Sequence, residues 1–378
     1  MNTKRIMIVA GEASGDIYGA DLAREACRME SGLRFFGIGG ARMREAGVET
    51  CIDIADMAVV GFVEVLKHFD IISSAYFRLK KILLETPPDL LILIDYPGFN
   101  LRLAKVAKRA GVKVLYYISP QIWAWRQGRV KKIARLVDHM AVILPFEAQL
   151  YRQTGVPVTF VGHPMLDLVR VSMNRDQAAE SFGLDSSRKI VGLFPGSRQS
   201  EIARMLPTIA AAARNLKERL PEAQFVVPVA STLRREDLEP HLDAAGVAVT
   251  YTEDRIHELI RSCDAIVSVS GTVTLEIALV GTPMVIIYRL APLTYQLAKR
   301  LIKIKYIGLC NILAGRSVAE ELIQDKATPD AIANSLFAIL TEPDTAALRR
   351  SELSIIRGCL EKGGASVNVA RLALEMIA

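Results

Sequence analysis

The stretch VSVSGTVTLEIALVGTPMVI, Val267–Ile286, contains a complete strand–helix–strand unit. Its first apolar run stops at a turn formed by Gly271 and Thr272, and the helical pattern that follows carries Glu276 in its first turn. That pattern breaks at a Gly-Thr-Pro sequence beginning with Gly281, and a second apolar run then starts. Two buried strands joined by a helix run parallel, so this stretch predicts a parallel sheet covered by helices.

Similar apolar, β-branched runs alternate with helical patterns along the chain. They read RIMIVA, DLLILID, VKVLYYIS, HMAVILP and VTFVGH in the first half, and KIVGLFPGSR, QFVVPVA, VAVTYT, DAIVSVSG and PMVIIY in the second. Runs that are apolar throughout indicate strands buried on both faces. With 378 residues, the chain exceeds the size at which single cores usually divide. We therefore predict an α/β fold of two Rossmann-like domains that face each other across a cleft.

The expected domain boundary lies in the polar stretch that follows the VGHP sequence. We assign residues 1–167 to an N-terminal domain and residues 168–345 to a second domain. Residues 346–378 continue a helical pattern and are expected to form C-terminal helices.

Composition indicates a well-cored globular chain with a basic surface. Hydrophobic residues make up 51% of the chain, charged residues make up 23%, and the net charge is +6. No apolar run reaches the length of a membrane-spanning helix, and IMIVA is too short for a signal-peptide core, so we expect a cytoplasmic protein. The five cysteines include no CxxC pair, which predicts neither disulfides nor zinc. The positive charge favours an anionic partner, but scattered basic residues with 6% aromatics disfavour nucleic acid.

Two strand-to-helix turns in the second half are candidate anion sites. In FPGSRQSEI, the amides of Gly196 and Ser197, the helix dipole and the Arg198 guanidinium can hold a diphosphate. The Gly271–Thr272 turn offers further amides, and Glu276 can accept hydrogen bonds from ribose hydroxyls. Each feature alone is equally typical of an ordinary turn or of a carboxylate that complements a helix dipole.

Together, these turns predict a site for a nucleoside diphosphate. The chain contains neither the G-x-G-x-x-G pattern of dinucleotide-binding proteins nor the P-loop pattern. It also contains no D-x-D pair that could bridge a diphosphate to a metal ion. We therefore expect no metal and no other cofactor.

Acidic residues follow two strands of the first half. GEASGD carries Glu12, Ser14, Gly15 and Asp16 after the first strand, and Asp95 ends the apolar strand DLLILID. A carboxylate at a strand end can act as a general base, and partial burial raises its pKa toward that role. The alternative is that Asp95 only anchors the Pro-Gly turn that follows it. Because strand ends border the ligand crevice, we favour the functional interpretation.

A broad apolar helix is predicted between residues 59 and 84. Apolar residues recur there at the spacing of a core-facing helix, but further apolar residues widen the stripe and basic residues border it. Such a border is typical of helices that lie on anionic lipid. The residues expected to contact a membrane are Phe62, Leu66, Phe69, Ile72, Lys80 and Lys81.

Nine motifs occur in order along the chain: VAGEASGD, VVGFVEVL, IDYPGFN, SPQIWAWR, LPFE, VGHP, PGSR, SGTVTLE and CNILAGR. As an ordered set from about Ile8 to Arg316, they resemble the lipid A disaccharide synthases, which are inverting glycosyltransferases of the two-Rossmann GT-B type. The resemblance implies transfer of 2,3-diacylglucosamine from UDP-2,3-diacylglucosamine to the 6-hydroxyl of 2,3-diacylglucosamine 1-phosphate. The products would be a β-1,6-linked disaccharide 1-phosphate and UDP. Acylated substrates imply a peripheral position on the cytoplasmic side of the inner membrane.

The resemblance also implies roles for individual residues. Asp95 matches the family's proposed base, whereas Gly98 stands where family members often have a second acid. The expected UDP-binding set is Gly196, Ser197, Arg198, Gly271, Thr272, Glu276 and Asn311. The expected sugar-binding set is Glu12, Ser14, Gly15, Asp16, Asn100 and Arg126. The C-terminal helices are implied to pack on the N-terminal domain or on the partner in a homodimer.

Two other functions are compatible with these residues. One is another UDP-sugar enzyme of the same fold, such as a cell-wall N-acetylglucosaminyltransferase or an epimerase. The other is a non-catalytic, membrane-associated nucleotide-binding protein in which Asp95 is structural. Release of UDP that depends on an acylated acceptor separates the synthase from both.

Overall fold

The computed structural model describes residues 3–54, 69–120, 130–230, 232–291, 295–296, 305–360 and 363–378. The chain divides into two compact units, which are Met1–Asp167 with Glu361–Ala378, and Leu168–Leu360. The second division lies beyond the residue 345 expected from the sequence. The reason is that the helix ending at Cys359 packs against other helices of the second unit.

The first unit is a parallel sheet covered by helices. Its described strands are β1 (Lys4–Ala10), β2 (Leu33–Gly39), β3 (Glu49–Asp53), β4 (Leu90–Ile94), β5 (Lys113–Tyr117), β6 (His139–Val142) and β7 (Val158–Phe160). They pair in parallel in the order β3-β2-β1-β4-β5-β6-β7. The helices described between and after them are α1 (Ala13–Met29), α2 (Ala41–Glu45), α3 (Phe69–Glu85), α4 (Pro97–Arg109), α5 (Val130–Ala134), α6 (Pro145–Arg152) and α7 (Met165–Leu168).

The apolar runs of the first unit form its core. Every residue of β4 is buried, and β1 is buried from Ile6 to Ala10, because helices cover both faces of the sheet. The helix predicted over residues 59–84 is described from the start of α3 onward. It buries Ala75, Leu79 and Leu83 in the core, which are four residues apart and therefore share one helical face.

The second unit repeats this plan. Its described strands are β8 (Ile190–Phe194), β9 (Gln224–Pro228), β10 (Val249–Thr252), β11 (Ala265–Val269), β12 (Met284–Tyr288) and β13 (Glu320–Ile323). They form a parallel sheet in the order β10-β9-β8-β11-β12-β13. The α-helices described with them are α8 (Arg175–Ser181), α9 (Gln199–Arg219), α10 (Glu239–Ala244), α11 (Ile256–Ser262), α12 (Val273–Val280), α13 (Leu309–Ala314), α14 (Pro329–Thr341) and α15 (Pro343–Cys359).

The last helix, α16 (Ala365–Ile377), belongs to the first unit and packs against α1. The Asp167 carboxylate accepts hydrogen bonds from the backbone N–H groups of Gly364 and Ala365, at 2.8 and 3.1 Å. These bonds satisfy amides at the start of α16 that have no partner inside the helix. In this chain, the C-terminal helix is therefore held on the chain's own first unit.

The strand order of each sheet reverses once near its centre. In the first unit the reversal lies between β1 and β4, where Ala10 pairs with Ile94. In the second unit it lies between β8 and β11, where Phe194 pairs with Ser268. We call the loops after β1 and β4 the first switch point, and the loops after β8 and β11 the second switch point. Open parallel sheets bind ligands at such points, and the predicted α/β class with two Rossmann-like units is confirmed.

Candidate active site

The loop after β4 places Asp95 in a strained backbone conformation. Asp95 and Tyr96 have φ angles of 43° and 45°, which side chains other than glycine rarely adopt. The Asn100 amide nitrogen donates hydrogen bonds to the carbonyls of Ile94 and Asp95, at 3.1 and 2.8 Å. The Tyr116 hydroxyl also donates to the Asp95 carbonyl, at 2.5 Å. Two buried side chains therefore hold the turn, and strain of this kind is concentrated at functional sites.

The loop after β1 fits against this turn through Gly11. A Cβ at Gly11 would stand 2.2 Å from the ring of Tyr96, so any larger residue would displace the tyrosine. At Gly15, a Cβ would stand 3.2 Å from the Ala10 side chain, because α1 approaches β1 closely. The two loops of the first switch point are therefore packed together.

The pKa of Asp95 is raised from 3.8 to about 7. Burial is the largest cause, and the negative charge of Glu12 adds to it, whereas a hydrogen bond with the Tyr96 backbone opposes it. Glu12 itself is exposed and precedes the first turn of α1. A carboxyl with this pKa is partly ionised at neutral pH, which is the property that a general base needs.

The other sugar-binding residues predicted in the first unit differ in their surroundings. Asp16 is buried, and its carboxylate accepts hydrogen bonds from the backbone N–H groups of Gly40, Arg42 and Met43, at 2.6 to 3.1 Å. These bonds fix the start of α2, so the geometry gives Asp16 a structural role. Ser14 is half-buried in the first turn of α1.

Asn100 lies beneath the Asp95 turn, where its amide is occupied by the two backbone carbonyls described above. Arg126 lies outside the described residues, as do Phe62, Leu66 and the side chain of Phe69.

At the second switch point, the loop after β8 is held by Glu201, which was not predicted. The Ser197 N–H donates to Glu201 Oε2 at 3.0 Å, and Arg198 lies 3.4 Å from Glu201 Oε1. Gly196 has a φ of 106°, and a Cβ there would stand 2.4 Å from the Glu201 carboxylate. Glu201 lies in the first turn of α9, and an acid in a first helical turn is a recognisable sequence signal. Glu201 therefore contacts the Ser197 N–H and the Arg198 guanidinium, two hydrogen-bond donors that we predicted to bind a diphosphate.

The loop after β11 presents an open glycine. Gly271 and Thr272 are exposed, and a Cβ at Gly271 would have no heavy atom within 4 Å. The Ser270 hydroxyl donates to the Ile307 carbonyl at 2.9 Å, which ties this loop to the chain before α13. Protein packing therefore does not require a glycine at position 271. A ligand that came close to the backbone at this position would require one, because a side chain would be in its way.

Glu276 and Asn311 both have protein partners. Glu276 lies 3.0 Å from His257 Nε2, and both side chains are largely covered. The side chain of Asn311 is buried, where it donates to Glu321 and the Ala319 carbonyl and accepts from the amides of Val318 and Ala319. Glu321 in turn accepts from the Ile307 and Gly308 amides. Asn311 therefore shapes the segment bonded to Ser270, and no sequence spacing indicated His257 or Glu321 as partners.

A family model described as lipid-A-disaccharide synthetase matches residues 6–365. The chain belongs to this family. The lipid-A-disaccharide synthase of Trichlorobacter lovleyi is 67% identical over 374 residues, which cover 99% of this chain and 98% of the relative. That of Coxiella burnetii (strain Dugway 5J108-111) is 45% identical over 377 residues, which cover 100% of this chain and 100% of the relative.

A solved structure with very different sequence has the same fold. The UDP-GlcNAc 2-epimerase of Neisseria meningitidis, bound to UDP-GlcNAc, superposes with a TM-score of 0.67 at 14% identity. The match covers 98% of this chain and 100% of the epimerase. At this identity, the likeness supports the fold alone.

Within the described ranges, no group of three or more His, Cys, Asp or Glu side chains is arranged to hold a metal ion. No helix in the part of the chain that the structure describes is long and apolar enough to cross a membrane.

Proposed function

We propose that the chain transfers 2,3-diacylglucosamine from UDP-2,3-diacylglucosamine to the 6-hydroxyl of 2,3-diacylglucosamine 1-phosphate. The products are a β-1,6-linked disaccharide 1-phosphate and UDP. Family membership supports this reaction, and the observation that carries the mechanism is the carboxyl of Asp95, whose pKa is about 7 at the first switch point.

Asp95 accepts the proton of the acceptor 6-hydroxyl in this mechanism. As that proton leaves, the oxygen forms a bond to the anomeric carbon of the donor sugar. The bond from that carbon to the diphosphate breaks, and UDP departs with the electron pair, so the configuration inverts in one displacement. The strained turn held by Asn100 and Tyr116 fixes where the base stands, which lowers the cost of orienting it.

The second switch point binds the departing UDP in this proposal. The Arg198 guanidinium and the amides of Gly271 and Thr272 stabilise the diphosphate. Glu276 accepts hydrogen bonds from the ribose hydroxyls. Arg198 is 44% exposed and pairs with Glu201 at 3.4 Å, which is long for a charge-assisted hydrogen bond, so it can exchange that carboxylate for a phosphate. With these donors, the proposal includes neither a metal ion nor another cofactor.

Membrane association through α3 is part of the proposal. Phe77 and Leu84 are 62% and 53% exposed. Lys80 lies over the Phe77 ring at 5.9 Å, and Lys81 is exposed beside them. Ile72, which we expected to contact lipid, instead packs partly buried against the core. The apolar and basic residues that remain exposed suit the surface of an anionic membrane.

Vesicle binding tests this surface. The double variant Phe77→Ser with Leu84→Ser should bind anionic vesicles more weakly than the wild type. Leu348→Ser is the matched control, because Leu348 is 58% exposed in the second unit. Equal vesicle binding by all three proteins would remove α3 from the proposal. The position on the cytoplasmic face of the inner membrane and the homodimer are supported by the resemblance alone.

The reaction itself is tested by UDP release. UDP-2,3-diacylglucosamine is supplied with and without 2,3-diacylglucosamine 1-phosphate, and UDP-N-acetylglucosamine serves as the non-acylated control donor. We expect release that requires the acceptor and a disaccharide product that requires the acylated donor. Equal turnover of UDP-N-acetylglucosamine, or release without acceptor, would contradict the synthase assignment.

A further inference from the structure

A pocket of about 460 Å³ lies in the first unit at the amino ends of β1, β2 and β3. Its lining includes Arg5, Arg34 and Arg78, and we call it the arginine pocket. The first switch point follows the carboxyl ends of the strands in the same sheet. The arginine pocket is therefore at the opposite edge of this sheet from Asp95.

The arginine pocket gathers positive charge that lacks a paired carboxylate. Arg5 on β1 and Arg34 on β2 are register partners on neighbouring parallel strands, and Arg78 comes from α3. Glu49 is the one acidic residue in the described lining, and among the described residues none of the three arginines forms an ion pair with a carboxylate. Like charges at neighbouring positions of a sheet repel each other, so an anion beside the single carboxylate of Glu49 would stabilise this cluster.

Uncharged partners hold two of the three guanidinium groups in place. Arg5 donates to the Thr86 carbonyl at 3.3 Å and lies 4.9 Å from the centre of the Phe36 ring. Arg78 donates to the Cys51 carbonyl at 2.8 Å. These contacts position the guanidinium groups without neutralising their charge, and a site positioned before binding loses less entropy when a ligand arrives.

We propose that the arginine pocket binds a phosphate group, as a monoester or a diphosphate, at a site separate from the second switch point. Arginine is the side chain best suited to bidentate bonds with phosphate oxygens, and the volume lies within the usual range of about 300–1,000 Å³ for ligand pockets. The phosphate belongs either to a lipid headgroup, since α3 also exposes Phe77 beside Arg78, or to a free phosphate compound. This inference does not depend on the proposed reaction.

Titration with inorganic pyrophosphate tests the site. The full chain carrying Arg198→Ala is titrated by calorimetry without UDP, because UDP is itself a diphosphate and would compete at the arginine pocket. The Arg198→Ala change weakens the second switch point, and the variants below are made in this background. Arg34 is exposed and its side chain has no described hydrogen bond, so Arg34→Glu should fold normally, and Arg34→Gln provides a milder variant. Arg152→Glu is the matched control, because Arg152 is an exposed arginine of the first unit outside the pocket.

We expect Arg34→Glu to weaken pyrophosphate binding about tenfold or more and Arg34→Gln to weaken it less, since charge-assisted hydrogen bonds have this magnitude. Arg152→Glu should bind like the Arg198→Ala parent, and UDP release by Arg34→Glu alone should be unchanged. The proposal is overturned if the protein with all three pocket arginines intact binds no pyrophosphate, or if Arg34→Glu and Arg152→Glu behave alike.

Vesicle binding identifies the source of the phosphate. The same proteins are mixed with phosphatidylglycerol vesicles and with phosphatidylcholine vesicles. If Arg34→Glu loses binding to phosphatidylglycerol vesicles as well as to pyrophosphate, while Arg152→Glu retains both, the ligand is a lipid headgroup. If Arg34→Glu loses only pyrophosphate binding, the ligand is a free phosphate compound.

Discussion

At the first switch point the loops present the carboxyl groups of Glu12 and Asp95, whereas at the second they present backbone amides and Arg198. Both occur where a parallel sheet reverses its strand order. Burial and a neighbouring negative charge raise the pKa of Asp95, which suits it to accept a proton. The exposed glycine turn and Arg198 suit the second switch point to an anion. In the proposed reaction, one backbone plan therefore serves two chemical tasks, and the residues that follow its strands decide which task each unit performs.

The largest expected effect is on kcat in the variant Asp95→Asn, which separates proton acceptance from UDP binding. Asp95→Asn keeps the shape of the side chain but removes the base, so kcat should fall by about 10²–10⁴-fold. The Kd for UDP should be unchanged, because UDP is bound by the second unit in this proposal. Steady-state rates and UDP titration on the same preparation measure both quantities. A variant that lost UDP affinity in parallel with kcat would break the division of tasks.

The raised pKa of Asp95 also predicts a dependence of stability on pH. Between its ordinary value of 3.8 and about 7, the folded protein keeps a proton that the unfolded chain has released. The free energy of unfolding should therefore fall as pH rises through this window, by at most about 1.4 kcal/mol per pH unit. Asp95→Asn should lack this decrease and be the more stable protein at pH 8. Urea unfolding at pH 4, 6 and 8 measures the free energy of unfolding of both proteins. The same dependence on pH in the wild type and Asp95→Asn would show that burial does not destabilise the ionised carboxyl of Asp95.

Arg198→Ala should have the opposite signature to Asp95→Asn. Loss of a charge-assisted bond to a diphosphate weakens UDP binding by about 10- to 100-fold, corresponding to about 1.5–3 kcal/mol. The dependence of the remaining rate on pH should stay that of the wild type, because Asp95 is intact. Arg204→Ala, which changes an exposed arginine later in α9, is the control. Unchanged UDP affinity in Arg198→Ala would leave the second switch point without its proposed function.

Gly271→Ala should give the smallest effect. The added methyl group would meet no protein atom, so thermal stability should change little. UDP affinity should fall a few-fold if a diphosphate approaches the backbone at this turn. The matched variant is Gly98→Ala, where an added Cβ also meets open space, but in the first unit. Equal UDP affinity in both variants would show that the ligand does not approach Gly271.

The sequence was sufficient to predict the α/β fold and to place the candidate residues at the ends of strands. Strands such as LLILI are buried throughout, so their apolarity is visible without knowledge of their neighbours. Asp95 follows β4 directly, and Gly271 and Arg198 lie in the loops after β11 and β8. A local pattern therefore located them at the carboxyl edges of the two sheets.

Side-chain partners could not be predicted in the same way. Asp16 is bonded to amides more than twenty residues away, and Glu276 to His257 on another helix. Such pairs depend on how helices pack, and a spacing rule does not contain that information. The paired left-handed residues Asp95 and Tyr96 were also missed, because tertiary contacts with Gly11, Asn100 and Tyr116 impose that conformation.

The most direct test of Asp95 as the base is the dependence of kcat/KM on pH, measured from pH 5 to 9 for the wild type and Asp95→Asn. For the wild type, we expect the rate to fall about tenfold per pH unit below an apparent pKa of about 7, because protonated Asp95 cannot accept a proton. Asp95→Asn should show a low rate without this decrease. The same decrease near pH 7 in Asp95→Asn would contradict the assignment and move the base to another residue.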